Sequence, residues 1–236
     1  MIRLQVNHSL LLAALVIGCK PGSAAQSKED ASLSARPDTA HVATAAPATT
    51  DSSITRADLS RIQGSPNAPV WVIVVSDFQC PYCKQWHDET FATFRDQFVK
   101  TGKVRLAYVN FPLNSHVFAW PAAEAAMCAG AQNKFWEMHD ALFTSQGRWE
   151  AMPNPATFFD SLARSVGVDI DTWRTCFSSG RMKPLIQADH DRAARAGASA
   201  TPSFMIGDKI LAGVQSVDEL RIAVDSALAQ NKKTAP

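Results

Sequence analysis

The sequence predicts an α/β domain whose sheet is interrupted by a block of helices, on three observations. Val70-Trp71-Val72-Ile73-Val74-Val75 is a β-branched run without alternation, the pattern of a strand buried on both faces. Residues 116–196 read as helical almost throughout, with Ala-rich segments. Sheet signals return only at 203–211, after that block.

The elements follow in order. The first strand comes after a Pro66-Asn67-Ala68-Pro69 turn. Phe91, Phe94 and Phe98 recur at helical spacing within 82–100, and Gly102 stands where a C-cap glycine belongs. Val104, Leu106, Tyr108 and Val109 make 103–111 a second strand, which completes a βαβ unit. The helical block divides at 119–131, 133–145, 155–166, 169–179 and 181–196. Ser203-Phe204-Met205-Ile206 is a strand, Gly207-Asp208 a two-residue hairpin turn and Lys209-Ile210-Leu211 its return. An amphipathic helix over 217–228 closes the domain. The globular part is set at 53–232, with the helical insertion at about 115–196. It is long enough to bury about 70% of its unfolded surface around one core.

The N-terminal part is organised differently. Arg3 and the apolar run over 10–17 have the layout of a secretory signal, which places 1–18 outside the fold. That run falls short of the roughly 20 residues that span a bilayer, so no transmembrane helix is expected. Between 20 and 52 there are no aromatics, and 22 of 33 residues are Ala, Ser, Thr, Pro or Gly. Such a stretch buries too little apolar area to offset its ordering entropy and reads as a flexible tether. The whole chain carries 23 Lys+Arg against 22 Asp+Glu, which gives no basic footprint for nucleic acid.

The leader ends in Val16-Ile17-Gly18-Cys19, which resembles the lipobox of bacterial lipoproteins. That resemblance makes Cys19 the lipidated first residue of the mature chain and the lipid its only membrane attachment. The alternative is an ordinary signal peptide cut after Ala25, since Ser23 and Ala25 are both small. Five cysteines are an odd number for an exported chain. Acylation of Cys19 leaves Cys80, Cys83, Cys128 and Cys176, an even set in a compartment where disulfides persist.

Cys80-Pro81-Tyr82-Cys83 carries the chemistry. Two thiols separated by two residues, at the start of a helix that follows a buried strand, are arranged for disulfide exchange. The helix N-terminus favours a thiolate, which makes Cys80 the nucleophile. Cys83, one turn along, is the resolving thiol. Pro81 fits an early helical position, where its missing N–H costs nothing. Two other readings stay open: an inert disulfide, and half of a zinc site completed by His87, His116 or His139. No second C-x-x-C exists, however, and no metal is expected. His87 reads as an exposed helix residue, and Trp120, Trp136, Trp149 and Trp173 as core or solvated face.

These residues resemble a family. Ser76-Asp77-Phe78-Gln79-Cys80-Pro81-Tyr82-Cys83, Phe111-Pro112-Leu113 with His116, the Ala-rich 121–129, and Thr201-Pro202-Ser203-Phe204 look like the DsbA-like branch of the thioredoxin superfamily. The match runs over about 64–228. It implies a thioredoxin fold with a helical domain inserted after the second strand. It also implies that Thr201-Pro202 is a cis-proline loop facing Cys80, so that Pro81, Tyr82, Thr201 and Pro202 contact substrate; an ordinary loop proline is the alternative. Several relatives carry a second disulfide where Cys128 and Cys176 fall. By that resemblance the two are expected to pair and to stabilise the helical domain by about 3 to 4 kcal/mol; two buried free thiols are the alternative.

Two departures stand out. Many relatives have an acidic residue six positions before the first cysteine, where this chain has Val74. Tyr82 stands where the family's strongest oxidant has a histidine, so a weaker oxidant is expected.

The function expected from this resemblance is an exported thiol:disulfide oxidoreductase of the periplasm or cell envelope. It would act on reduced or misoxidised exported proteins, with a membrane redox partner and no cofactor beyond the Cys80–Cys83 couple, and as a monomer. A periplasmic reductase and a non-catalytic thioredoxin-fold lipoprotein that binds peptide or metal are the alternatives. Isomerase action is disfavoured, because the polar tether supplies no dimerisation domain.

Overall fold

The computed structural model describes residues 51–234. The signal segment, Cys19 and all but the end of the tether lie outside the described residues. Helix α1 (Ser52–Ser60) opens the domain, followed by a two-residue strand β1 (Ile62–Gln63) and by β2 (Val70–Ser76). A continuous helical rod then runs through α2 (Pro81–Trp86), a π-helical turn (His87–Phe91), α3 (Ala92–Phe94) and a second π-helical turn (Arg95–Val99). After β3 (Val104–Asn110) come six helices: α4 (Ala119–Gly130), α5 (Phe135–Thr144), α6 (Gln146–Glu150), α7 (Ala156–Ser165), α8 (Ile170–Ser179) and α9 (Lys183–Arg195). The chain closes with β4 (Ser203–Ile206), β5 (Lys209–Ala212) and α10 (Val217–Thr234). The sheet order is β1-β3-β2-β4-β5, with β2 and β3 parallel and the other pairs antiparallel. The sheet is therefore a βαβ unit joined to a hairpin, and the helices of α4 to α9 are inserted between the two.

Val70, Val72 and Val74 pack against Trp86, Phe91, Phe94 and Phe98 of the rod and Leu220 and Val224 of α10. The other face of β2 differs from the expectation of full burial. Val75 is buried, but Ile73 is half-buried and Trp71 is 44% exposed. The cause is the extent of the cover, because Ala193 and Ala198 pack with Val75 and Phe111 and leave the start of the strand open. The guanidinium of Arg105 lies over the Trp71 ring, 4.6 Å from its centroid.

The helical block has its own core, built on Ala122, Ala125, Ala126, Phe135, Met138, Trp149, Phe159 and Trp173. Cys128 of α4 and Cys176 of α8 are bonded across it, with their Cα atoms 5.8 Å apart. Trp149 and Trp173 are fully buried, and Trp120 and Trp136 pack at the edge of this core.

Three elements were not expected from sequence: α1, β1 and α6. Helix α1 buries only Ala57, so its apolar pattern is weak, and it depends on an N-cap in which Asp51 Oδ1 accepts the Ser53 N–H at 2.9 Å. β1 is an edge pair of two residues on β3.

Asp189 of α9 is completely buried and collects the polar ends of three elements. Arg61 donates to both of its carboxylate oxygens, Arg192 Nη2 donates at 2.9 Å and Asn110 Nδ2 at 3.0 Å. Removing one member of a buried ion pair strands the other, at a cost of about 3 to 5 kcal/mol. Asp189→Ala is expected to lower the unfolding free energy by about that amount in urea, with the m-value unchanged; a loss well below about 1 kcal/mol would contradict this account of the cluster.

Candidate active site

β2 ends at Ser76, and four residues later the chain turns into α2. Cys80 is the N-cap in extended conformation (φ −71°, ψ 124°) and Pro81 occupies the first turn. The Cys80 carbonyl already accepts the Lys84 N–H at 3.1 Å, so the sulfur sits over the free N–H groups of the helix start. Cys80 and Cys83 are unbonded thiols in this structure, 3% and 1% exposed. The Thr201–Pro202 peptide is cis, and the Cys80 thiol donates to the Thr201 carbonyl at 3.4 Å. Pro202 is buried, and its carbonyl accepts the Gly213 N–H at 2.8 Å. Pro81 and Tyr82 are exposed, Tyr82 at 61%, and form the surface beside the buried Cys80 sulfur.

The two thiols are set apart electrostatically. The Cys83 thiol first, then Thr201 and the N–H groups of Cys83 and Tyr82, hold Cys80 down to about 6 against its burial. Burial first, then the neighbouring Cys80, pushes the Cys83 thiol well above its ordinary range. The groups that offset this rise are the Asp77 N–H and the Ser76 hydroxyl. Val74 is buried in apolar surroundings and contributes no acid–base group.

Residues 77–80 are clamped from outside the strand. Asp77 Oδ1 accepts the Gln79 N–H at 2.7 Å, and Oδ2 accepts the Leu113 N–H at 2.9 Å and lies 2.7 Å from His116 Nδ1. Burial raises the Asp77 carboxyl, against the Leu113 N–H and His116, which lower it. Gln79 Oε1 accepts the Phe118 N–H at 2.6 Å. Gln146 of α6 donates from one Nε2 to the carbonyls of Phe78 at 2.7 Å and Cys80 at 3.1 Å. Asp77, Gln79 and His116 lie within motifs quoted from the sequence, but Gln146 had no signal there. It is one polar residue in a short helix, 66 positions from Cys80.

The structure brings Cys80, Cys83, Thr201 and Pro202 together and leaves Pro81 and Tyr82 at the surface above them. Cys128 and Cys176 are in the helical block. Cys19 lies outside the described residues. One expectation is corrected: the His87 side chain is only 13% exposed, because it packs on Phe91 and Phe143 and faces Asp88 and Asp140. Among the described residues, no three-ligand cluster joins a cysteine to His87, His116 or His139.

The fold and this dithiol site define a thioredoxin-superfamily protein. The thioredoxin family model matches residues 57–226, and the chain belongs to that family. It is 34% identical over 173 residues to the Na(+)/H(+) antiporter NhaA 1 of Salinispora arenicola, covering 73% of this chain and 25% of that protein. The chain thus spans about a quarter of the length of the first curated relatives it matches. It is 25% identical to the probable disulfide bond formation protein D of Bacillus anthracis, over 70% of this chain and 76% of that one. Among solved structures, alpha-DsbA1 of Wolbachia pipientis superposes with a TM-score of 0.65 at 20% identity, over 73% of this chain and 92% of that chain.

The separation of the two thiols has a pH signature. A Cys80 group held near 6 lies below its unfolded value of about 8.5, so its thiolate stabilises the folded dithiol form above that value and the gain is lost as pH falls through about 6. Alkylation of the reduced protein by iodoacetamide, followed by mass spectrometry, is expected to label Cys80 alone with a midpoint near pH 6. A midpoint near about 8.5 would show that the helix start does not hold a thiolate.

Proposed function

We propose that this chain is an exported thiol:disulfide oxidoreductase that forms or exchanges disulfide bonds in other exported proteins through Cys80 and Cys83. The observation that carries the reading is a buried Cys80 sulfur at a helix N-terminus, held against the Thr201–Pro202 loop and beside a buried Cys83. The thioredoxin family match and the relative named as a disulfide bond formation protein support the same chemistry.

In the oxidised enzyme a substrate thiolate attacks Cys80 Sγ. The Cys80–Cys83 bond breaks, and Cys83 leaves as a thiolate and takes up a proton. A second substrate thiolate then attacks the substrate sulfur of the mixed disulfide, and Cys80 departs as a thiolate. Two substrate thiols become one disulfide and the enzyme gains two electrons, which a quinone-linked membrane partner would remove. Low basicity makes Cys80 the better leaving group, so the mixed disulfide resolves at that sulfur. Tyr82 and Pro81 would meet the substrate's surface, and the backbone of Thr201 and Pro202 its extended chain.

The Cys80–Cys83 couple is proposed as the sole redox group. Cys128–Cys176 is proposed as structural, Cys19 as the lipid anchor, and the protein as a monomer held at a bacterial envelope membrane by that lipid. No helix among the described residues is long and apolar enough to cross a membrane.

The test is the reduction potential of the couple in glutathione buffers, together with trapping. A value toward about −120 mV supports disulfide donation, whereas one near about −270 mV moves the reading to a reductase. Cys83→Ser is expected to accumulate mixed disulfides with substrate proteins and Cys80→Ser to abolish exchange. A chain without a reversible two-electron couple would be a binding module. A Cys128→Ser, Cys176→Ser double variant is expected to keep its turnover while losing about 4 kcal/mol of stability, and loss of turnover in a folded variant would reassign that pair.

A further inference from the structure

His87 lies one turn beyond Cys83, and its ring faces α5 of the helical block. Its Nδ1 is 2.9 Å from Asp88 Oδ1, and its Nε2 is 3.4 Å from Asp140 Oδ1. The same Asp140 oxygen is 2.8 Å from His139 Nδ1. One carboxylate oxygen thus sits between two imidazole nitrogens from two elements, and the three ligand atoms lie within 4.8 Å of one another. Nitrogen and oxygen ligands at about 2.0 to 2.2 Å from a tetrahedral ion are about 3.3 to 3.6 Å apart. The His87–Asp140 separation of 3.4 Å already falls in that range, while the 2.8 Å His139–Asp140 contact would have to open and the widest separation in the group, within 4.8 Å, to close.

We propose that His87 Nε2, His139 Nδ1 and Asp140 Oδ1 form a binding site for a divalent transition-metal ion of the zinc class, with its fourth position open to solvent. Two imidazoles and one carboxylate suit zinc, cobalt, nickel or copper, whereas calcium and magnesium take oxygen ligands. The surroundings also suit a metal site. The second nitrogen of His87 is oriented by the Asp88 carboxylate, which in turn pairs with Lys84 at 2.5 Å. This is the outer-shell support that metal-binding histidines usually have. His139 is 1% exposed and fixed by the rings of Phe78, Tyr108, Trp136 and Phe143, so its orientation is set before an ion arrives. Asp140 is 42% exposed and gives the entry path. One group opposes the ion: Arg95 Nη1 lies 3.9 Å from Asp140 Oδ2 and competes for the carboxylate. The site is accordingly exchangeable. An ion here would tie the cysteine-bearing rod to α5.

The test uses the untagged full chain with Cys80 and Cys83 oxidised and any remaining thiol alkylated, so that no thiolate takes the metal. Titration with Co²⁺ alone is expected to give one equivalent bound, with the visible absorption of a four-coordinate site, displaced by Zn²⁺. His87→Gln and Asp140→Asn should each weaken binding by more than tenfold, and Asp88→Asn by about 10- to 100-fold. His190→Gln, which alters a histidine stacked on Phe111 elsewhere, should leave it unchanged. Zn²⁺ should raise the Tm of the parent chain but not that of the folded His87→Gln, Asp140→Asn double variant. Absence of binding at millimolar Co²⁺, or equal affinity in that double variant, would overturn the proposal and leave an ordinary hydrogen-bonded cluster between two helices.

Discussion

A negative charge on a nearly buried sulfur is the constraint from which the rest of this structure follows. Burial favours the neutral thiol, so Cys80 is a thiolate at neutral pH only if donors are aimed at it. The Cys83 thiol is the strongest such donor, and the N–H groups of Cys83 and Tyr82 add to it, pointing the right way because α2 begins at Pro81 with Cys80 as its extended N-cap. That geometry requires the four residues between β2 and α2 to hold still. Asp77, Gln79 and Gln146 hold them, each by hydrogen bonds to or from a backbone outside β2. The helical insertion is thus part of the electrostatics of the thiol as well as a neighbour of the sheet.

The same arrangement makes the pair asymmetric. Cys83 lies a turn deeper, against Tyr108 and Phe78 in the core of the helical block, and burial keeps its proton on. One sulfur is ready to attack and to leave, and the other is protected until a mixed disulfide draws it into reaction. With Val74 buried among apolar side chains, the strand before the motif brings no carboxylate to the resolving thiol from that position. Cys83 has a hydroxyl and a backbone N–H beside it instead.

Much of this was legible in the sequence, because the relevant signals are local. The β-branched run, the spacing of Phe91, Phe94 and Phe98 and the hairpin at Gly207-Asp208 each depend on near neighbours. So does Cys80-Pro81-Tyr82-Cys83, in which the helix start and the thiols are the same four residues. What escaped depends on distant partners. Gln146 acts on a carbonyl 66 positions away, and α1 owes its place to a cap and one buried alanine. His87 reads as exposed on its own helix and becomes enclosed only when α5 is set against it. The open half of β2 is illegible in the sequence for the same reason, since a strand's own residues do not tell how far the helices above it extend.

The reach of those clamps governs when the protein becomes reactive. The hydrogen bonds that fix residues 77–80 come from residues 36 to 68 positions further along the chain. The Thr201 carbonyl beside the sulfur comes from 121 positions further. A partly made or unfolded chain therefore carries two ordinary cysteines with ordinary thiol acidity. Folding acts as a safety catch: the polypeptide stays chemically quiet toward its own four domain cysteines and toward its neighbours until the last strands are in place.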